Sequence, residues 1–225
     1  MKVLLFGATG MVGQGVLREC LLDPGVELVQ TVGRTAAPVQ HAKLRQVVHA
    51  DLMDYGPIEA ALEGFDACFW CLGVTSAGMS EAAYERVTYG ITMAAARTLA
   101  RLNPGMTFVF VSGAGTDSTG RGRVMWARIK GKTENALLLL PFRAAYMFRP
   151  GVIEPVHGVK SKTGVYRWFY LLAKPLLPLA RWAFPAHVLT TEEIGRAMLA
   201  VARNGAPKRV LESRDIRAIL QQPAN

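Results

Sequence analysis

Three glycines follow the first apolar segment of the chain, and their spacing constrains the fold more than any other feature. The segment 2–6 reads KVLLF, and the next seven residues read GATGMVG. In a strand–turn–helix unit, one glycine allows a tight turn, another lets backbone amides approach a pyrophosphate, and the third lets helix and strand pack closely. The spacing alone is a weak signal, but its place directly after an apolar strand is the context that such a unit requires. We therefore predict a nucleotide-binding turn; the alternative is a structural turn without a ligand. The predicted contacts are Gly7, Thr9, Gly10, Met11, Val12 and Gly13.

Apolar strands and helices alternate along the rest of the chain. Strands are predicted at 2–6, 26–32, 44–49, 66–72, 106–112 and 143–148. Helices are predicted at 11–22, 57–63, 80–101 and around Trp126. Continuous apolar strands separated by helices indicate a parallel sheet covered on both faces. The prediction is an α/β, Rossmann-like doubly wound sheet in a single domain over 1–225, with a small C-terminal helical region.

The composition fits a globular domain in a reducing compartment. Of the 225 residues, 51% are apolar and 19% are charged, which is ordinary for a globular protein. Three cysteines, an odd number, argue against a disulfide framework. We see no signal-peptide pattern, and the apolar region 165–189 is too interrupted to supply the ~20 apolar residues of a membrane span. These observations predict a cytoplasmic location.

The end of the second strand indicates which nucleotide binds. An NAD-binding fold usually carries an acidic side chain about 20 residues after the glycines, where it holds the ribose 2′-hydroxyl. This chain reads TVGRT, with Arg34 and no acid, and a guanidinium can pair with a 2′-phosphate. NADP(H) is therefore predicted over NAD(H); the alternative is a surface arginine in a turn. After the third strand, Asp51, with Leu52 beside it, is predicted to accept a hydrogen bond from the adenine amino group or to cap a helix.

Further segments resemble short-chain dehydrogenases/reductases of the atypical or extended kind. These segments are GATGxxG, Arg34, HADL (49–52), CLG (71–73), VSGAG (111–115), WARIKGK (126–132) and FRPG (148–151). CLGVTSAG, VKSKT and TTEEIGRAML are similar to the Tat-interacting-protein-like oxidoreductase branch. The resemblance covers nearly the whole chain. It implies a Rossmann-like sheet, NADP, and a site in which a tyrosine transfers the proton, a lysine lowers the tyrosine pKa and holds the ribose, and a serine assists.

The resemblance places Lys130 at the lysine position and Ser112 near the serine position. Trp126 occupies the tyrosine position. An indole N–H donates a hydrogen bond but cannot shuttle a proton near neutral pH. Cofactor binding through Lys130 therefore survives this departure, whereas the standard proton transfer does not. Tyr84, Tyr89, Tyr166 and Tyr170 are candidate substitutes, and packing is the alternative for each. The residues Cys71, Leu72 and Gly73, which end the fourth strand, are predicted to lie beside the cofactor.

Three other patterns do not support a second chemistry. CFWC (68–71) has the spacing of a redox pair, but positions i and i+3 of a strand point to opposite faces. The sequence GKT (131–133) ends like a phosphate-binding loop, yet it lies within a predicted helix and lacks the preceding glycine. The four histidines have no metal-ligand spacing, so no metal site is predicted.

Basic charge is concentrated in the second half of the chain. Residues 121–225 hold 18 Lys and Arg against 6 Asp and Glu, a net charge of +12, whereas residues 1–120 have a net charge of −3. The basic, aromatic segment 152–189 is interpreted first as a substrate lid, and otherwise as a homodimer interface or a membrane-surface contact. No nucleic-acid recognition motif accompanies the charge.

Two functions remain open at this point. The first is an NADP(H)-dependent oxidoreductase or epimerase-like enzyme acting on a small carbonyl or alcohol. The alternative is a catalytically weak, NADP(H)-bound regulatory or sensing protein with a protein or membrane partner.

Overall fold

A computed structural model describes residues 1–159 and 188–221. Within these residues, seven strands form one parallel sheet in the order β3-β2-β1-β4-β5-β6-β9, and β7 pairs with β8 as a separate parallel ribbon. The strands are β1 (Lys2–Phe6), β2 (Leu28–Gly33), β3 (Leu44–Val48), β4 (Ala67–Trp70), β5 (Thr107–Val111), β6 (Ala144–Arg149), β7 (Val152–Glu154), β8 (Val188–Thr190) and β9 (Val210–Glu212).

The helices lie between these strands in the chain, except for the last helix, which follows β9. They are α1 (Met11–Leu22), α2 (Glu81–Glu85), α3 (Ile91–Leu102), α4 (Met125–Leu138), α5 (Thr191–Asn204) and α6 (Ser213–Gln221). A π-helical turn, Arg86–Gly90, joins α2 to α3, and Gly56–Ala61 is a 3₁₀ helix. Helix α5 begins with a capping box, in which Thr190 Oγ1 accepts from the Glu193 amide at 3.0 Å and Glu193 Oε2 accepts from the Thr190 amide at 2.7 Å. This reciprocal pair satisfies backbone donors at the start of the helix and fixes where it begins.

Two apolar layers cover the two faces of the sheet. Val3 and Leu5 pack on one face with residues of α1 and α5, while Leu4 and Phe6 pack on the other with residues of α3. Alternate residues of a strand point to opposite faces. A strand covered on both faces is therefore apolar throughout. This arrangement confirms the predicted doubly wound α/β sheet.

The predicted strands and helices agree closely with the structure as far as residue 149. The six predicted strands are present with bounds that differ by at most two residues, and the first helix begins and ends where it was predicted. The predicted helix at 57–63 is a 3₁₀ helix. Most of the predicted lid, at 160–187, lies outside the described residues, and its described ends contribute β7 and β8. None of the described helices is long and apolar enough to span a membrane. The division into a single domain stays a prediction.

Candidate functional site

A cavity of about 890 Å³ opens beyond the carboxyl ends of the central strands. It lies where the strand order reverses, between β1 and β4. From β1 the chain continues to β2 on one side, and from β4 it continues to β5 on the other side. Open α/β sheets bind ligands at such a switch point. The predicted site residues that line the cavity are Gly7, Thr9, Gly10, Met11, Val12, Arg34, Asp51, Leu52, Cys71, Leu72, Gly73, Ser112 and Lys130. Gly13 and Trp126 do not line it. The roles assigned to these residues stay predictions.

The turn between β1 and α1 is tightly packed, and at two of its positions only glycine fits. Gly7 has a φ of +80°, and a Cβ placed on it would lie 2.6 Å from the backbone carbonyl of Cys71. A Cβ on Gly13 would lie 2.0 Å from the Gly7 carbonyl oxygen. The Gly7 carbonyl also accepts a hydrogen bond from the Gly10 amide at 2.9 Å. The turn is therefore held between the end of β4 and the start of α1, and its backbone faces the cavity.

The amino terminus of α1 provides a site for an anion. Its N-cap is Gly10, which has no side chain to satisfy the first amides, and its first turn contains no acidic residue. Met11 and Val12 of this turn line the cavity. Unsatisfied amides and the positive end of the helix dipole favour a negative ligand at this place.

Arg34 and Asp51 lie at the same mouth of the cavity. Arg34 follows β2, is exposed, and pairs with no carboxylate in the described part of the chain. Asp51 is also exposed, and its Oδ1 accepts a hydrogen bond from the Met53 amide at 2.8 Å. Asp51 therefore stabilises a turn within its own loop. This role resembles the helix cap that was the alternative to an adenine contact. Leu52 is buried beneath it.

Ser112 is turned toward the protein interior by its hydrogen bonds. Its Oγ lies 2.5 Å from Glu134 Oε1 and 3.1 Å from the Phe148 carbonyl oxygen. Both partners are acceptors, and a hydroxyl has one hydrogen to donate. Glu134 is 1% exposed, and Arg149 on β6 binds both of its carboxylate oxygens, with Nε at 3.0 Å from Oε1. The Ser112 hydrogen is thus used within a buried ion-pair network.

Lys130 connects this network to the cavity. Its Nζ donates to the Ser112 carbonyl oxygen, and the side chain forms part of the cavity wall. Removal from water lowers the pKa of Lys130 to about 8, and the nearby Glu134 carboxylate opposes this shift. Lysine 130 therefore exchanges its proton closer to neutral pH than an exposed lysine does.

The sequence did not predict the roles of Glu134 and Arg149. An acid four residues after the lysine on the same helix was the available signal for Glu134. Arg149 stands inside the FRPG motif, but its partner can be recognised only once α4 and β6 are packed together.

The aromatic candidates lie away from the cavity. Trp126 packs toward Gly115, where a Cβ would lie 3.7 Å from its Cη2. Tyr84 is buried, and the Lys132 ammonium lies 4.7 Å from the centre of the Tyr89 ring. Neither of these tyrosines lines the cavity. Tyr166 and Tyr170 lie outside the described residues, and the assignment of Trp126 to the tyrosine position stays a prediction.

The cysteine pair at 68–71 and the GKT sequence have structural explanations. Cys68 packs in one core layer and Cys71 against the other, as expected for two cysteines on opposite faces of a strand. Burial raises the pKa of both thiols. The GKT sequence is part of α4, where the Thr133 hydroxyl donates to the Ile129 carbonyl at 2.8 Å. No group of three His, Cys, Asp or Glu side chains placed to bind a metal occurs in residues 1–159 and 188–221.

Comparison with solved structures supports the fold. WbmF of Bordetella bronchiseptica, in complex with NAD⁺, superposes with a TM-score of 0.69 at 15% identity over 98% of this chain and 77% of that chain. DesIV, a dTDP-glucose 4,6-dehydratase from Streptomyces venezuelae with NAD and TYD bound, gives 0.70 at 16% identity over 98% and 80%. A short-chain dehydrogenase/reductase from Saccharomyces cerevisiae gives 0.67 at 17% identity over 98% of each chain. At these identities the likeness shows a shared fold.

The named relatives correct the predicted location. Protein FMP52, mitochondrial, of Meyerozyma guilliermondii is 28% identical over 90% of this chain and 85% of its own length. The protein of the same name from Aspergillus clavatus is 32% identical over 68% and 67%. Since these relatives are named mitochondrial, the prediction of a cytoplasmic location is wrong. Free cysteines indicate reducing conditions but do not distinguish one reducing compartment from another.

A family model gives the assignment of the chain. The model described as NAD(P)H-binding matches residues 7–137, which include the glycine turn, Arg34 and Lys130. The finer resemblance to the Tat-interacting-protein-like branch stays a prediction. With a match over more than half of its residues, and with the fold of short-chain dehydrogenases, the chain belongs to the NAD(P)H-binding family.

Proposed function

We propose that this protein is an NADP(H)-dependent oxidoreductase that acts on a small, largely apolar carbonyl or alcohol. One observation carries the proposal: a single cavity joins the start of α1, Lys130 beside Ser112, and Arg34, which pairs with no carboxylate among the described residues. These groups fit a phosphorylated dinucleotide. The α1 amides would hold the pyrophosphate, Arg34 the 2′-phosphate, and Lys130 the nicotinamide ribose. When bound, the reduced cofactor supplies a hydride.

The remaining cavity wall favours an apolar substrate. Beyond Ser112 it is lined by aliphatic side chains from several elements of the described chain: Val74, Val87, Ile91, Val152 and Ile153. Such a surface binds hydrocarbon by removing it from water. Among the described residues of the cavity wall, Lys130 is the charged side chain that contacts Ser112, so a substrate oxygen would be oriented at this end.

The preference for NADP(H) is tested with Arg34→Ala. We expect the affinity for NADPH to fall by about 10–100-fold, because charge-assisted hydrogen bonds to the 2′-phosphate contribute about 1.5–3 kcal/mol. The affinity for NADH should change little. Fluorescence titration of both cofactors measures the two effects.

Arg45→Ala is the matched control, because Arg45 is an exposed arginine on β3 that does not line the cavity. If the wild type binds NADPH and NADH equally, the role of Arg34 is contradicted while nucleotide binding stands. If it binds neither cofactor, the oxidoreductase proposal fails.

A second function is favoured by one feature of the site. No tyrosine of the described residues lines the cavity, and the Ser112 hydroxyl points to Glu134. A protein that binds NADP(H) and senses its redox state, with little turnover, would fit this arrangement. Measurement of NADPH oxidation with a panel of apolar aldehydes and ketones distinguishes the two functions, since the sensor would bind NADPH and leave it unoxidised.

A further inference from the structure

We infer that Lys130 is itself the proton donor of this site, and that Glu134 is a positioning residue that keeps the Ser112 hydrogen away from the substrate. The inference rests on the proposed oxidoreductase function. It assigns to the lysine the step that the absent tyrosine leaves open.

The hydrogen bonds of Ser112 direct its hydroxyl into the protein. Its hydroxyl has two acceptors inside the protein, Glu134 Oε1 at 2.5 Å and the Phe148 carbonyl at 3.1 Å. The Glu134 carboxylate is fixed by Arg149. On its cavity side, the Ser112 oxygen can therefore accept a hydrogen bond but has no hydrogen to give. A substrate carbonyl needs a donor from another residue.

The other titratable side chains of the cavity wall do not supply that donor. Arg34 is excluded because a guanidinium group does not release a proton in a protein. Asp51 already accepts from the Met53 amide and lies at the Arg34 end of the cavity. The Cys71 thiol is held protonated by burial, which raises its pKa far above neutrality. Within the described wall of the cavity, this leaves Lys130.

The surroundings of Lys130 suit proton transfer near neutral pH. Burial in the cavity wall lowers the lysine pKa to about 8. Among the described residues, the charged neighbour that shifts its pKa is Glu134, one turn further along α4, and Arg149 of β6 binds Glu134. The Glu134 carboxylate favours the charged lysine, but the effect of burial is larger. An acid whose pKa is close to the working pH is an efficient donor.

The reaction balances with these groups. In the reductive direction, the carbonyl carbon accepts a hydride from the reduced nicotinamide, and the π electron pair moves onto the oxygen. The oxygen takes a proton as an N–H bond of the Lys130 ammonium breaks. NADPH is oxidised to NADP⁺, the carbonyl is reduced to an alcohol, and the neutral amine regains a proton from water.

Lys130→Arg separates proton donation from ribose binding. Arginine keeps the charge and the donor toward the Ser112 carbonyl but does not deprotonate. We expect NADPH affinity to stay within about threefold, while kcat for an apolar aldehyde falls by about 10²–10⁴-fold. Lys130→Met should lower both. Lys132→Arg is the control, because Lys132 lies two residues away on the same helix and pairs with Glu85 at the surface.

A readout independent of turnover is the titration of the lysine itself. After reductive ¹³C-methylation, the resonance that Lys130→Arg removes should titrate with an apparent pKa near 8. Reduction should slow as pH rises through this value, because the donor is lost, and alcohol oxidation should accelerate.

Different outcomes overturn different conclusions. Full turnover in Lys130→Arg, or titration of the Lys130 resonance near the ordinary value of about 10.4, would overturn the role of Lys130 alone. Loss of turnover in Tyr166→Phe or Tyr170→Phe, with Lys130→Arg active, would do the same. Absence of NADPH oxidation by the wild type with every carbonyl would overturn the proposed function, and the lysine role with it.

Discussion

Glu134→Ala is expected to lower the free energy of unfolding by about 3 kcal/mol, a large share of the stability of a domain of this size. Glu134 is 1% exposed and the Arg149 side chain is 11% exposed. Removing one partner of a buried ion pair leaves the other charge with little water around it. The free-energy cost of that uncompensated charge exceeds the net contribution of the pair to stability. Arg149 keeps a contact with Glu212 at 3.3 Å. We therefore expect a loss at the lower end of the range for buried pairs, measured by urea unfolding.

Two variants make this prediction specific. Glu134→Gln keeps the shape and one oxygen that can accept from Ser112 and from Arg149 Nε, but it loses the charge and the second acceptor, so we expect a smaller loss than for Glu134→Ala. Glu81→Ala removes an ion pair with Arg128, 2.7 Å long, in which the glutamate is 53% exposed. Surface pairs contribute about 0–1 kcal/mol. If Glu134→Ala costs no more than Glu81→Ala, the network does not stabilise the fold as described.

The glycine-turn end of the cavity could be located from the sequence because it depends on local chain geometry. The glycine turn, the start of α1 and Arg34 lie within the first 34 residues, and each is read from its place relative to a strand. Strand register then brings the ends of β1 and β4 together, since Phe6 pairs with Trp70. Apolar runs predict such strands, and a parallel sheet fixes which of their ends meet.

The arrangement around Ser112 could not be predicted to the same depth, because it depends on side-chain direction across distant elements. The sequence identified Ser112 as a candidate residue. The direction of its hydroxyl, however, is set by Glu134, which lies 22 positions away on α4. The position of the Glu134 carboxylate is fixed in turn by its hydrogen bond from Arg149 on β6. The short strand β9 was missed for a related reason: three residues are too few to show a period, and their place at the sheet edge comes from pairing with β6.

Gly13→Ala is expected to weaken NADPH binding by at least about 100-fold and to destabilise the fold by about 1–3 kcal/mol, as an overpacked methyl group does. The new Cβ would lie 2.0 Å from the Gly7 oxygen and 2.6 Å from the Gly7 carbonyl carbon. Gly7 cannot move away, because its own α-carbon faces the Cys71 carbonyl and its φ is +80°. Its oxygen also holds the Gly10 amide at 2.9 Å. The start of α1 must therefore shift, and the amides that would bind the pyrophosphate shift with it.

Gly105→Ala is the matched control for the added methyl group. Gly105 follows α3, and a Cβ on it would meet no atom within 4 Å. Its unfolding free energy and NADPH affinity should remain close to wild type, whereas Gly13→Ala should change both, as measured by urea unfolding and by fluorescence titration. Wild-type affinity in a folded Gly13→Ala protein would mean that the pyrophosphate does not depend on this turn. Because Arg34 directly follows β2 and is not part of α1, the preference for NADPH over NADH should persist in Gly13→Ala even as both affinities fall. That pattern would show that the pyrophosphate contact depends on α1 and that the 2′-phosphate contact depends on the end of β2.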